Sequence, residues 1–258
     1  MNALQIDLVP CFTDNYVFLV RDPASGAVAV VDPADSGPVI DALEARGWRP
    51  THILNTHHHP DHVGGNADLK ARYGVTIVGP AADRDRIPGI DIALGEGDPF
   101  TFGTQRVETI DVPGHTRGHC AYHLPDAGVV FVGDTLFALG CGRLFEGTPA
   151  QMQRSLAKLA ALPDDTLAYC AHEYTQSNAR FAVTVEPGNA DLAARTDEID
   201  RARAQGIATV PTTIGREKAT NPFLRWDSED LRATLGLEGA DAATVLGETR
   251  RRKDVFRG

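Results

Sequence analysis

The stretch Asn55-Thr56-His57-His58-His59-Pro60-Asp61-His62-Val63-Gly64-Gly65 places four candidate metal ligands within six residues, and its surroundings decide the fold. It follows a strand-like run, His52–Leu54, and leads into a Gly-Gly turn, so a loop at the C-terminal end of a strand is expected. His57 and His59, two apart, can direct both imidazoles at one ion. Asp61 and His62 follow at once and can serve a neighbouring ion. Imidazole and carboxylate suit zinc, iron or manganese, and no thiolate is needed. His58 alternates away from its neighbours and Pro60 stiffens the turn, so neither is expected as a ligand. The competing reading is a run of solvated loop histidines.

Three further segments weigh against that reading. Asp111-Val112-Pro113-Gly114-His115-Thr116-Arg117-Gly118-His119 sets His115 in a Gly-flanked turn after a strand. Val130-Phe131-Val132-Gly133-Asp134-Thr135 sets Asp134 just beyond an apolar strand, and Tyr169-Cys170-Ala171-His172-Glu173-Tyr174 sets His172 at the end of another. Singly, each donor is a turn or capping residue. Together they sit where the loops of a sheet scaffold carry ligands. His119 and Thr116 are candidates for fixing the imidazole tautomers.

Short apolar runs bounded by turn residues predict strands at Leu4–Val9, Tyr16–Val20, Val28–Val31, His52–Leu54, Thr76–Val78, Val107–Val112, Ala121–Leu124, Val129–Val132 and Thr166–Cys170. Helices are expected at Pro38–Arg46, Asn66–Tyr73 and Pro149–Leu162. Many strands with few helices argue for an α+β arrangement, sheets packed under helices, rather than regular βαβ alternation. Beyond His172 the pattern turns helical, at Tyr174–Val185, Asn189–Gln205, Ser228–Leu235 and Asp241–Phe256. Ile207–Pro222, with Pro211, Gly215 and Pro222, reads as an irregular loop. The expected division is therefore 1–173 and 174–258.

The chain has 258 residues and a net charge of -10, from 25 basic and 35 acidic residues. That length supports a full core, and that charge argues against binding a phosphate backbone. No apolar run reaches the roughly 20 residues that span a bilayer, and Met1–Asp7 lacks a basic, then apolar leader. Cys11, Cys120, Cys141 and Cys170 are widely spaced, which suggests buried, reduced thiols in a cytoplasmic protein. A monomer is expected.

The T-H-x-H-x-D-H run, the later G-H-T-x-G-H, the G-D-T-L-F and the C-x-H-E-Y resemble the metallo-β-lactamase superfamily over roughly residues 5–175. The resemblance implies an αββα sandwich holding two divalent ions, with zinc expected first and iron or manganese as alternatives. It implies His57, His59 and His115 on one ion, Asp61, His62 and His172 on the other, and Asp134 bridging them. Two divalent ions, Asp61, Asp134 and a bridging hydroxide sum to about +1, which would favour an anionic tetrahedral intermediate and a nucleophile available near neutral pH.

Within that superfamily, four stretches resemble glyoxalase II, the hydroxyacylglutathione hydrolase family. They are Pro10–Tyr16, Phe137–Gly147, Thr213–Arg225 and Arg250–Asp254. The implied reaction is hydrolysis of a glutathione thioester, S-D-lactoylglutathione, to glutathione and D-lactate, the last step of methylglyoxal detoxification. By the same resemblance Arg143, Phe145, Tyr174, Arg250 and Lys253 contact the substrate. The two carboxylates of glutathione suit cationic side chains through charge-assisted hydrogen bonds. Arg250–Lys253 could alternatively complement only the dipole of the last helix. Two positions depart from the family pattern: Arg143 stands where lysine is familiar, and Phe145 where some members have tyrosine. Phenylalanine removes a hydroxyl donor, so a raised KM is expected. A thiolate leaves readily because a thiol pKa lies near 8.5, so no general acid is expected. The rival readings are a single-iron persulfide dioxygenase, a nuclease or lactonase on the same scaffold, and an inactive binding module.

Overall fold

The computed structural model describes residues 4–258; Met1–Ala3, part of the stretch read for a leader, lie outside the described residues. The contacts divide the chain into two compact units, one running through Asp111 and resuming at Arg117–Gly133, the other comprising Val112–Thr116 and Asp134–Gly258.

The first unit contains β1 (Gln5–Cys11), β2 (Asn15–Arg21), β3 (Val28–Val31), α1 (Ser36–Arg46), β4 (His52–Leu54), α2 (Pro60–Val63), α3 (Asn66–Tyr73), β5 (Thr76–Pro80) and β6 (Ile92–Leu94), then β7 (Phe100–Phe102), β8 (Gln105–Asp111), β9 (Cys120–Leu124) and β10 (Val129–Gly133). One sheet runs in order from β1 to β6; β1, β2 and β3 are antiparallel, and β3 to β6 parallel. The strands β7 to β10 form antiparallel neighbours in a second sheet. Strand β2 is buried along nearly its whole length, so both its faces are covered. Val17 and Leu19 join a cluster with Val39 and Leu43 of α1 and Leu69 of α3. The intervening Phe18 points the other way, its ring 5.7 Å from Phe131 of β10. That alternation makes a helix layer and two sheets from one strand's sequence. Helix α1 starts at Asp35, whose side chain accepts from the Gly37 amide, and stops at Gly47 in the left-handed region.

The second unit contains β11 (Leu136–Phe137), β12 (Gly140–Cys141), α4 (Pro149–Ala160), β13 (Leu167–Cys170), α5 (Thr175–Val185), α6 (Ala190–Ala204), β14 (Thr212–Thr213), α7 (Ile214–Thr220), α8 (Glu229–Leu235) and α9 (Ala242–Val255). Thr148 and Gln151 form a reciprocal capping box at the start of α4. Ala179 and Ala182 of α5 pack with Leu192 and Ile199 of α6 around Leu139. Pairs β11–β12 and β13–β14 are antiparallel.

Two expectations need correction. The segment Ile207–Pro222 is not an irregular loop, since it contains β14 and α7. The hydroxyl of Thr213 accepts from the Arg216 amide and caps α7, so Pro211 and Gly215 precede or open the helix rather than forbid it. The histidine-rich segment is likewise not all loop: Pro60 opens the one-turn helix α2, which contains Asp61 and His62.

Candidate metal centre

In the first unit the donors follow β4. His57 is fully buried, and its ring centroid lies 4.7 Å from that of His59 and 4.0 Å from that of His62. A carboxylate that the sequence reading passed over organises them. Asp32, at the end of β3, is buried and has φ 49°, a region that non-glycine residues seldom occupy. Its Oδ1 accepts from the Thr56 amide at 2.7 Å and its Oδ2 from the Thr56 hydroxyl at 2.7 Å. The only hydroxyl hydrogen of Thr56 is thus committed to Asp32. The contact of 3.1 Å between Thr56 Oγ1 and His57 Nδ1 therefore makes Nδ1 the donor and leaves the Nε2 lone pair for a ligand role. His62 Nδ1 lies 3.1 Å from Asp32 Oδ2 and its Nε2 3.6 Å from Asp61 Oδ2. Asn15 donates to Asp61 Oδ2 at 3.1 Å and to its carbonyl at 3.3 Å.

His58 is turned aside, as its alternation implied. Its Nδ1 lies 2.9 Å from Asp83 and its Nε2 3.2 Å from Arg86. His119 is not a spare donor at the surface: it is buried and stacks on His57, with centroids 4.6 Å apart and 20° between planes. Gly133, at φ 48°, makes this packing possible, because a Cβ there would lie 2.3 Å from Thr56 Oγ1 and 2.8 Å from His119 Nε2.

In the second unit His115 Nε2 lies 3.4 Å from Asp134 Oδ2, and His172 Nε2 lies 3.3 Å from Asp134 Oδ1. His115 Nδ1 faces the Arg143 carbonyl at 2.9 Å; a carbonyl only accepts, so Nδ1 carries the proton and the Nε2 lone pair is again left for a ligand role. The seven expected ligands are thus divided, His57, His59, Asp61 and His62 in the first unit and His115, Asp134 and His172 in the second. Five imidazoles and two carboxylates, with no thiolate, fit borderline or hard divalent ions.

The expected substrate contacts also lie in the second unit. Tyr174 stacks on His172, with centroids 4.7 Å apart and 4° between planes, and meets Phe137 edge-on at 5.3 Å. Phe145 is 63% exposed, its ring 5.2 Å from His115. Arg250 is buried; its Nη1 donates to the Cys141 carbonyl at 2.8 Å, Asp254 lies 2.9 Å away, and the guanidinium sits 5.2 Å over Phe223. Lys253 Nζ donates to the Ser177 carbonyl at 2.9 Å. Burial, then the charges of Arg250 and Arg143, hold the Lys253 ammonium down to about 8. By those charges Arg143, Arg250 and Lys253 make a cationic group; Lys253 also lies in the last turn of α9, where the helix dipole favours a cation. All four cysteines are buried and free, and burial raises Cys11 and Cys141 to about 11 and Cys170 to about 12.

Asp32 and Asn15 are the neighbours of the candidate ligands that the sequence did not single out. The signal for Asp32 was present: Val28–Val31 followed by Asp32 repeats the pattern of Val129–Val132 followed by Asp134. No helix among the described residues is long and apolar enough to cross a membrane.

Comparison with known proteins agrees with this geometry. A family description "Metallo-beta-lactamase superfamily" matches residues 12–172, and "Hydroxyacylglutathione hydrolase C-terminus" matches residues 173–256. The hydroxyacylglutathione hydrolase of Methylococcus capsulatus is 59% identical over 255 residues, covering 99% of this chain and 100% of that protein. The hydroxyacylglutathione hydrolase of Rhizobium meliloti is 55% identical over 256 residues, covering 99% and 100%. Among solved structures, TTHA1623 in a di-iron-bound form is similar with TM-score 0.60 and 26% identity, over 84% of this chain and 98% of that one.

Proposed function

The chain belongs to the hydroxyacylglutathione hydrolase family of the metallo-β-lactamase superfamily, and from that premise we propose that it hydrolyses S-(2-hydroxyacyl)glutathione, with S-D-lactoylglutathione as the expected substrate. In this reading His57, His59 and His115 hold one divalent ion, Asp61, His62 and His172 a second, and Asp134 is shared. Zinc is the first expectation for both. Residues 1–173 carry the hydrolytic part and residues 174–258 the substrate-binding part. A monomer in the cytoplasm completes the proposal; four buried free thiols suit a reducing compartment.

The observation that carries the substrate assignment is a run of contacts within the second unit. It leads from the donor His172 to Tyr174, to Phe137, along the β11–β12 hairpin to Cys141, and on to Arg250 and Lys253. A ligand with a reacting centre at His172 and carboxylates some residues' length away fits that run. Arg143, Arg250 and Lys253 would bind the glutathione carboxylates, and Tyr174 would donate its hydroxyl.

When bound, two divalent ions lower the pKa of a coordinated water and polarise a carbonyl. The side chains do the rest. The Arg143 carbonyl and Thr56 hold His115 and His57 with Nε2 presented, and Asp32 Oδ2 lies 3.1 Å from His62 Nδ1. Those imidazoles therefore need no rearrangement when a ligand arrives. The departing thiolate is a stable anion near neutral pH, so no side chain is needed to protonate it.

The direct test is loss of thioester absorbance with S-D-lactoylglutathione, run alongside Asp134→Ala and Arg250→Ala. Turnover that collapses in the first variant, with KM raised in the second, supports the assignment. Metal-loaded protein that leaves the thioester intact would remove the substrate claim.

A further inference from the structure

Helix α7 contains a glutamate with no exposure at all, Glu217, whose carboxylate is used at both ends. Its Oε1 accepts from the Thr212 hydroxyl at 2.6 Å and from the buried Arg195. Its Oε2 accepts from the Leu139 amide at 2.8 Å and from Asn221 Nδ2 at 2.9 Å. Leu139 is the turn of the β11–β12 hairpin and has φ 59°, so the turn is held in a conformation that a leucine seldom adopts. A buried charge is costly unless fully paired, and here its pairing reaches into that hairpin.

Asn221, also fully buried, extends the same anchor. Its Nδ2 lies 3.1 Å from the Phe137 carbonyl and 3.0 Å from the Gly140 carbonyl, on both sides of the turn, its two hydrogens being shared among these and Glu217 Oε2. Its Oδ1 accepts from the Phe223 amide at 3.0 Å. Gly140 precedes Cys141, whose carbonyl receives Arg250 Nη1, and the Phe223 ring lies under the Arg250 guanidinium. One amide side chain therefore fixes two of the three groups that grip Arg250, the third being Asp254 on its own helix.

We propose that Asn221, backed by Glu217, is a positioning residue for substrate binding: it sets the place of Arg250 by tying the 137–140 turn and Phe223 to one buried amide. This rests on the assignment of Arg250 to the substrate carboxylates. Asn221 itself touches no reacting atom. Loss of its two hydrogen bonds to the hairpin would loosen Arg250 and leave the histidine donors alone, so binding should suffer before chemistry does.

The test compares Asn221→Ala with Leu43→Ala. Leu43 is fully buried in the core cluster of the first unit, away from the Glu217 and Asn221 network. Two readouts are taken on the metal-loaded, full-length protein: KM and kcat for S-D-lactoylglutathione, and hydrogen exchange of the peptide spanning 136–145. Asn221→Ala should speed exchange in that peptide and raise KM by about tenfold, with kcat changed by less than about threefold. Leu43→Ala should lower Tm through lost core packing but leave KM and hairpin exchange at wild-type values. Unchanged hairpin exchange in Asn221→Ala overturns the proposal, as does faster exchange with wild-type KM. If the wild-type protein fails to hydrolyse the thioester while exchange still rises in Asn221→Ala alone, the substrate assignment falls and the anchoring of the hairpin stands.

Discussion

Lys253 gives the sharpest handle on the cationic group. Its ammonium is partly desolvated and faces Arg250 and Arg143, which together hold it down to about 8 from an ordinary value of 10.5. If the charged form binds a glutathione carboxylate, about nine-tenths of the protein is competent at pH 7 and about one-tenth at pH 9. KM for the thioester should then rise by about tenfold across that interval, with most of the change centred near pH 8. The α-amino group of the substrate titrates in a similar range, near 8, so wild type alone is not decisive. Lys253→Arg separates the two, because a guanidinium remains charged throughout. Its absolute KM will shift with the altered geometry, but its profile should lose the step due to the protein and keep only that of the substrate. Stability should follow with a definite sign. The folded value lies below the unfolded one, so the fold disfavours the charged form; that penalty is fully present below pH 8 and is relieved as pH rises from 8 towards 10.5. Lys253→Met should therefore raise Tm more at pH 7 than at pH 10. Steady-state kinetics between pH 6.5 and 9.5 with both proteins decide the matter. Parallel KM profiles for wild type and Lys253→Arg would refute the reasoning.

Asp134→Ala removes the carboxylate facing both His115 and His172. Metal content after dialysis should fall, and kcat should drop by at least about a hundredfold, as measured by elemental analysis and turnover. Asp32→Asn keeps the shape but weakens the hold on Thr56 and His62, so metal affinity in a chelator competition should drop by about ten- to a hundredfold. Phe145→Tyr supplies a hydroxyl beside His115 on an exposed ring, and KM should fall by several-fold through about 0.5–1.5 kcal/mol of hydrogen bonding. An unchanged KM would remove that account of the departure. Removing metal with a chelator should abolish turnover and lower Tm, and readdition of zinc should restore both.

What could be read in the sequence, and what could not, follows from where each residue's partners lie. The nine strands read from apolar runs all exist, because each run is bounded by its own turn residues. The candidate ligand positions could be named from sequence because strand-end donors signal themselves by local pattern. Asp32 shows the limit of that signal: its partners Thr56 and His62 lie 24 and 30 residues away, and Asp32-Pro33 on its own reads as an ordinary turn. Strands β6, β7, β11, β12 and β14 have two or three residues each, too few for a period to register.

Helix α7 was hidden for a chemical reason. Its buried residues are Ile214, Glu217 and Thr220, a face at helical spacing that a hydrophobicity pattern scores as polar. Glu217 can lie inward only because Arg195, Thr212, Asn221 and the Leu139 amide satisfy it, and those partners come from four separate places in the chain. The feature that concealed the helix is therefore the one that gives it a task. A core-facing leucine at 217 would have made α7 readable and could not have tied the hairpin turn beside Arg250. Buried polarity that looks like a loop in sequence marks, in this chain, the place where α7 is fastened to the hairpin that receives Arg250.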